Sequence, residues 1–192
     1  MNRREVVLAL LSLGAAPLGA IAQTERRIGF LALANAESSA AWLAAFRAGM
    51  LELRWVEGRD YAIDVRHANG VAQALPALAD ELVAIRPDLL LTVADAPTRV
   101  FAQRTKTIPI VFAIASNPVG NGFAASLRRP GGNATGLTSL SSELSAKRLQ
   151  LLKDAFPQVA NVVLLFEPDN LGSVSQAKEI EAAAPGLAAC RA

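Results

Sequence analysis

Cysteine and histidine are almost missing from this chain. One cysteine (Cys190) and one histidine (His67) occur in 192 residues. A lone cysteine closes no intramolecular disulfide, and the pair cannot furnish the ligand set of a zinc centre. Any histidine-based triad would have to run through His67 alone. Aromatic residues are sparse at 5%, and charged residues at 19% fall below the usual share of about 25%. The net charge is only +2 despite a pI near 9.0, and no Lys/Arg cluster with interleaved aromatics occurs. The electrostatic footprint of a nucleic-acid binder is therefore absent. No metal, no cofactor and no nucleic-acid partner is expected.

Apolar residues are plentiful at 52%, enough for a sizeable core in one or two compact units. The first residues carry a separate signal. Arg3 and Arg4 are followed by the uncharged run Val6 to Leu13, and Ala20-Ile21-Ala22 presents a small-x-small cleavage site before Gln23. This is the layout of a signal peptide over residues 1–22. A membrane anchor is the competing reading, but Gly14, Pro17 and Gly19 break the apolar stretch too early to span a bilayer. Arg3-Arg4 fits a twin-arginine signal as well as an ordinary one. The position after the cleavage site is Gln23, so no lipid-accepting cysteine is present there. The expected destination is the periplasm or another extracytoplasmic space.

Beyond Gln23, strand and helix patterns alternate. Strands are expected at Arg27 to Ala32, Tyr61 to Val65, Asp88 to Val93, Ile108 to Ile114, Thr135 to Thr138 and Asn161 to Phe166. Ser38 and Ser39 can cap a helix whose apolar residues Trp42, Phe46, Met50 and Leu53 share a face, which puts Trp42 in the core. Further helices are expected over Val71 to Ile85, with Pro76 near its start, and from Asp95-Ala96-Pro97 to about Lys106. A short helix is expected near Phe123 to Leu127. Another runs from Ser142 to Phe156 with Leu149, Leu152 and Phe156 inward, and a last one spans Ser173 to Ala184, ended by Pro185-Gly186. The breaker Arg129-Pro-Gly-Gly-Asn133 suggests a boundary, which gives an α/β lobe over 23–132 and a partial second lobe over 133–192. Strand-helix alternation implies parallel sheets with helices on both faces, where ligands bind outside the carboxyl ends of the strands. That rule nominates the loops Ala32 to Ser38, Ala94 to Ala96, Ala115 to Pro118 and Glu167 to Asn170.

Several runs resemble a known bacterial family in the right order. They are Phe46-Arg-Ala-Gly49, Val56-Glu-Gly58, Ile108-Pro-Ile-Val-Phe112, Asn117-Pro-Val-Gly120, Leu127-Arg-Arg-Pro-Gly-Gly-Asn133-Ala-Thr-Gly-Leu137 and Leu144-Ser-Ala-Lys-Arg-Leu149-Gln-Leu-Leu-Lys153. Together they are similar to the ABC-transporter substrate-binding proteins whose characterised relatives are linked to tryptophan and other aromatic amino acids. The resemblance implies a type I periplasmic-binding-protein fold, with two Rossmann-like lobes closing over a ligand in the cleft between them. It also implies a monomer that hands its solute to an ABC permease in the inner membrane and performs no chemistry on it. This sequence departs from the family pattern at Ala94-Asp95-Ala96, where small hydroxyl residues and Gly usually stand, at Asn117, usually acidic, and at Glu167, often Asn. Relatives continue through further strands and helices, so the second lobe here is expected to be incomplete.

The expected ligand contacts are Ala34, Ser38, Asp95, Ala96, Ser116, Asn117, Thr138, Glu167, Asp169 and Asn170. Most have a plainer reading beside them. Asp95 suits a ligand ammonium or a helix cap. Ser38 suits a cap, Ser116 and Asn117 suit turn chemistry before Pro118, and Glu167 to Asn170 suit a solvated loop. Gly120-Asn-Gly122 matches a dinucleotide fingerprint loosely, but it does not start at a strand end. An enzyme on a Rossmann-like sheet is the alternative reading, and it meets no Gly-x-Ser-x-Gly, phosphate loop or paired histidines. A ligand-sensing regulator would need a helix-turn-helix where the signal peptide stands. A non-functional fragment is the remaining alternative.

Overall fold

The computed structural model describes residues 25–139, 144–168 and 170–188. The expected signal peptide, Ser142, Asp169 and Cys190 lie outside the described residues.

Five strands form one sheet: β1 (Arg26–Ala32), β2 (Tyr61–His67), β3 (Leu89–Thr92), β4 (Ile110–Ala115) and β5 (Ala134–Thr138). All pairings are parallel, in the order β2-β1-β3-β4-β5. The helices are α1 (Ala36–Glu52), α2 (Leu75–Ala84), α3 (Asp95–Arg104), α4 (Ser145–Ala155) and α5 (Leu171–Ala188), and a short 3-10 turn (Ala72–Ala74) leads into α2. Alternation along β1 assigns its faces. Ile28, Phe30 and Ala32 pack with Leu43 of α1, with Phe46 and Met50 beside them. Leu31 points the other way, into a cluster with Leu75, Ala79 and Leu82 of α2 and Phe101 of α3. Burying a side chain of this size contributes about 1.5–3 kcal/mol. β1 is buried on both faces because helices cover both. Phe30 sits opposite Val65 on one side and Leu91 on the other.

At the amino ends of the strands, Asp88 ties β1 to β3. Its carboxylate pairs with Arg26 at 2.7 Å and accepts from the Arg27 N–H at 2.9 Å. These donors, the Arg27 N–H first, hold its pKa below the ordinary carboxylate value. Where β5 meets β4, the backbones approach so closely that a Cβ on Gly136 would strike the Phe112 carbonyl oxygen.

Several expectations are corrected. The boundary placed at 132/133 falls inside the sheet, because Ala134 to Thr138 pairs with β4 and completes its edge. α1 begins earlier than Ser38, since Asn35 caps it by accepting the Ser38 N–H at 2.8 Å. Its buried side is Ser39 and Leu43, followed by Phe46 and Met50, so Trp42 stands one position off the stripe and is 44% exposed. Residues 123–127 form no helix, and Phe123 is buried against Phe112. Asn161 to Phe166 takes no strand: Val163 is 86% and Leu165 92% exposed, and no described segment pairs with them. Of the three residues expected inward from the next helix, Leu149 is half-buried, Leu152 is 36% exposed and Phe156, just past the end of α4, is 51% exposed. α5 runs past Pro185, which in the final turn withdraws only one backbone donor.

Candidate functional site

The sheet order fixes where a ligand crevice opens. The chain leaves β1 toward β2 on one side, and β3 adds on the other. The switch point therefore lies between the carboxyl ends of β1 and β3, where adjacent loops diverge. Two helices start at this mouth, α1 after β1 and α3 after β3. Ala34 is half-buried in the first loop, and Ser38 is exposed in the first turn of α1 with its N–H already given to Asn35. Asn35 was missed as the cap because Ser38 and Ser39 offered the same chemistry closer to the apolar run. Ser39 is wholly buried and its hydroxyl has no partner among the described residues.

On the other side of the mouth, Ala94 precedes α3 with φ 76° and ψ 171°. That region is almost reserved for glycine and costs roughly 1–3 kcal/mol for other residues. The conformation is pinned. The Ala94 N–H donates to the Ile114 carbonyl at 3.1 Å, and its own carbonyl accepts from the Thr98 hydroxyl at 2.7 Å. Thr98 Oγ1 in turn lies 2.6 Å from the buried Thr92 Oγ1. The result is that Asp95 is the first residue of α3 and not its cap, and no side chain caps this helix. Asp95 is only 6% exposed, and its carboxylate accepts the Ser116 N–H at 3.1 Å and 3.4 Å to its two oxygens. Ala96 follows, half-buried.

The loop after β4 brings Ser116 beside Asp95. Asn117 turns its side-chain oxygen to the Gly120 N–H at 2.8 Å, which is the turn chemistry and occupies its acceptor. The Thr138 hydroxyl donates to the Ala115 carbonyl at 2.9 Å and so closes the β4–β5 end. From the far region, Asn170 caps α5 by accepting the N–H groups of Gly172 at 3.0 Å and Ser173 at 3.2 Å. Gly172 itself rests on Ser116: a Cβ there would collide with the Ser116 hydroxyl and lie 3.2 Å from its Cβ. Glu167 is exposed and contributes its carbonyl to the Asn170 N–H at 3.1 Å. The structure thus joins Asp95, Ser116, Thr138 and the start of α5 around the end of β4, with Ala34 and Ser38 across the β1 mouth.

A cavity of about 480 Å³ lies elsewhere, between α4, residues 159–164 and α5. Leu149, Leu152, Val162, Leu164 and Ile180 line it, with Ser145, Arg148, Lys153 and Asn161 among them. Among the described residues, no group of three or more His, Cys, Asp or Glu side chains could hold a metal ion.

The fold recurs in solved proteins. A conserved domain protein from Vibrio cholerae O1 biovar El Tor is similar with a TM-score of 0.74 and 25% identity, over 85% of this chain and 54% of that one. The ABC domain in complex with L-Trp from Streptococcus pneumonia is similar with a TM-score of 0.71 and 23% identity, again over 85% of this chain and 54% of that one. A tyrosine-binding protein of Clostridioides difficile (strain R20291) is 26% identical over 120 residues, which is 62% of this chain and 34% of that protein. The chain thus spans about half the length of these solved structures, and its match spans a third of the tyrosine-binding protein. The family model for ABC transporter substrate binding proteins matches residues 27–188. With most of its length matched and a parallel sheet of the corresponding architecture, the chain belongs to the ABC transporter substrate-binding protein family.

Proposed function

We propose that this protein is the extracytoplasmic solute-binding component of an ABC importer. Residues 1–22 direct its export, and the remainder captures a small amino-acid-like solute without altering it. The observation that carries this reading is the convergence at the switch point. Two helix starts, a buried carboxylate on Asp95 and the Ser116 loop converge at the carboxyl ends of β1, β3 and β4. The start of α5 at Asn170 and Gly172 forms the opposing wall, so the solute lies between the two lobes, whose boundary follows Thr138. The ligands of the relatives, tyrosine and L-Trp, favour an amino acid, aromatic ones first. The loaded monomer delivers the solute to a membrane permease.

The test is thermal unfolding of the chain from Gln23 onward, with and without each amino acid. A native-state ligand at 100 times its Kd stabilises by about 2.7 kcal/mol, an upward shift of the midpoint that is readily measured. A cooperative transition unmoved by every amino acid sinks the reading.

A further inference from the structure

Resting on that reading, we propose that Asp95 accepts the ammonium group of the solute, so that the crevice selects molecules with a free protonated amine. Ions of one sign are seldom buried alone, because losing water costs a carboxylate heavily unless a partner replaces it. Asp95 is 6% exposed, yet no Lys, Arg or His pairs with it among the described residues. One backbone donor, the Ser116 N–H, serves both of its oxygens at 3.1 Å and 3.4 Å. An ionised carboxylate has room for about four donors, so most of its acceptor capacity stands open. An ammonium brings three N–H donors and the missing positive charge together, in the stronger charge-assisted class of hydrogen bond.

Position adds to the argument. Asp95 is the first residue of the helix that starts on the β3 side of the switch point. The strained Ala94 turns the chain there, and bonds to Ile114 and from Thr98 hold that turn. The surroundings therefore fix the direction of the carboxylate before any solute arrives, which reduces the ordering cost of binding. The other acids near the mouth do not share this placement, since Glu37 and Glu167 are both exposed.

The comparison that tests this uses paired probes: L-tyrosine against 3-(4-hydroxyphenyl)propionate, and L-tryptophan against indole-3-propionate. Each pair differs only in the amine. Titration calorimetry on the chain from Gln23 is expected to show the amino acid bound at least 100-fold more tightly than its des-amino partner. The variant Asp95→Asn keeps an oxygen for the Ser116 N–H and removes the charge. It is expected to lose most of that preference, to below 10-fold, chiefly through weaker binding of the amino acid. A wild-type chain that binds both members of a pair equally overturns the inference without any variant. So does an Asp95→Asn protein that keeps the full preference. Binding of none of the four probes, with no amino acid stabilising the chain, overturns the solute-binding reading and this inference with it.

Discussion

Residues 25–139 and residues 144–188 are built from similar material, yet only the first group makes a sheet. The run Val162-Val-Leu-Leu-Phe166 is as apolar as Leu89-Leu-Leu91, but Leu165 is 92% exposed where Leu90 is fully buried. The difference lies in what stands alongside. A strand satisfies its backbone through neighbours, whereas a helix satisfies its own. β3 has β1 and β4 on its two sides, while no described segment pairs with 161–166, and only the self-sufficient α4 and α5 form there. An apolar run is thus an offer of a strand, and a partner converts it.

That contrast can be broken by mutation. The largest effect is expected from Phe101→Ala. Its ring is wholly buried between α3 and the sheet, so its loss costs about 3–5 kcal/mol, read as a drop in the urea midpoint. Leu165→Ala in the exposed run is expected to stay within about 0.5 kcal/mol of wild type. Equal losses at the two positions would show that 161–166 is packed in solution.

A smaller effect of opposite sign is expected from Ala94→Gly. Glycine relieves the strained backbone and gives back some unfolded-state entropy, for a net gain of about 1 kcal/mol in stability. A loss in the melting temperature would mean that the turn is not strained in solution.

The smallest effect is expected from acid. Asp88 and Glu57 have pKa values lowered in the folded chain, Asp88 by the Arg27 N–H and then Arg26, Glu57 by its bond to Arg47. A lowered folded pKa contributes stability above the unfolded value and loses it as pH falls through the folded one. Stability is therefore expected to hold through neutral pH and to decline as pH drops below about 4, the ordinary carboxylate range. Asp88→Asn flattens that decline, and an unchanged pH profile in the variant would remove Asp88 from the account.

Much of the fold was legible because β3 and β4 are nearly continuous apolar runs, while β2 alternates apolar Tyr61, Ile63 and Val65 with Asp64 and Arg66. The order of helices and strands then implied the parallel sheet. The loops holding Ala34, Asp95 and Ser116 were legible by the same rule, since they follow strand ends. What sequence alone could not supply was choice among equivalents. Asn35, Ser38 and Ser39 could each cap α1, and only the packing of Leu43 and Phe46 selects the register that leaves Trp42 outside. The inward turn of Asp95 was hidden for another reason: it depends on a positive φ at Ala94, which an alanine does not advertise. The contact of Gly172 with Ser116 joins residues far apart in the chain, and no local pattern encodes it.

The place of β1 between β2 and β3 also governs when the mouth of the sheet forms. β1 comes first in the chain, but its β3 side closes only when Asp88 returns to Arg26 and Arg27 across a separation of 62 and 61 residues. Closing so long a loop costs entropy before any contact repays it, and sheets of this kind assemble slowly. The mouth between β1 and β3 does not exist until that step is complete. Under the proposed function, a nascent or still-unfolded chain has no partial grip on a solute, and capture waits for that closure.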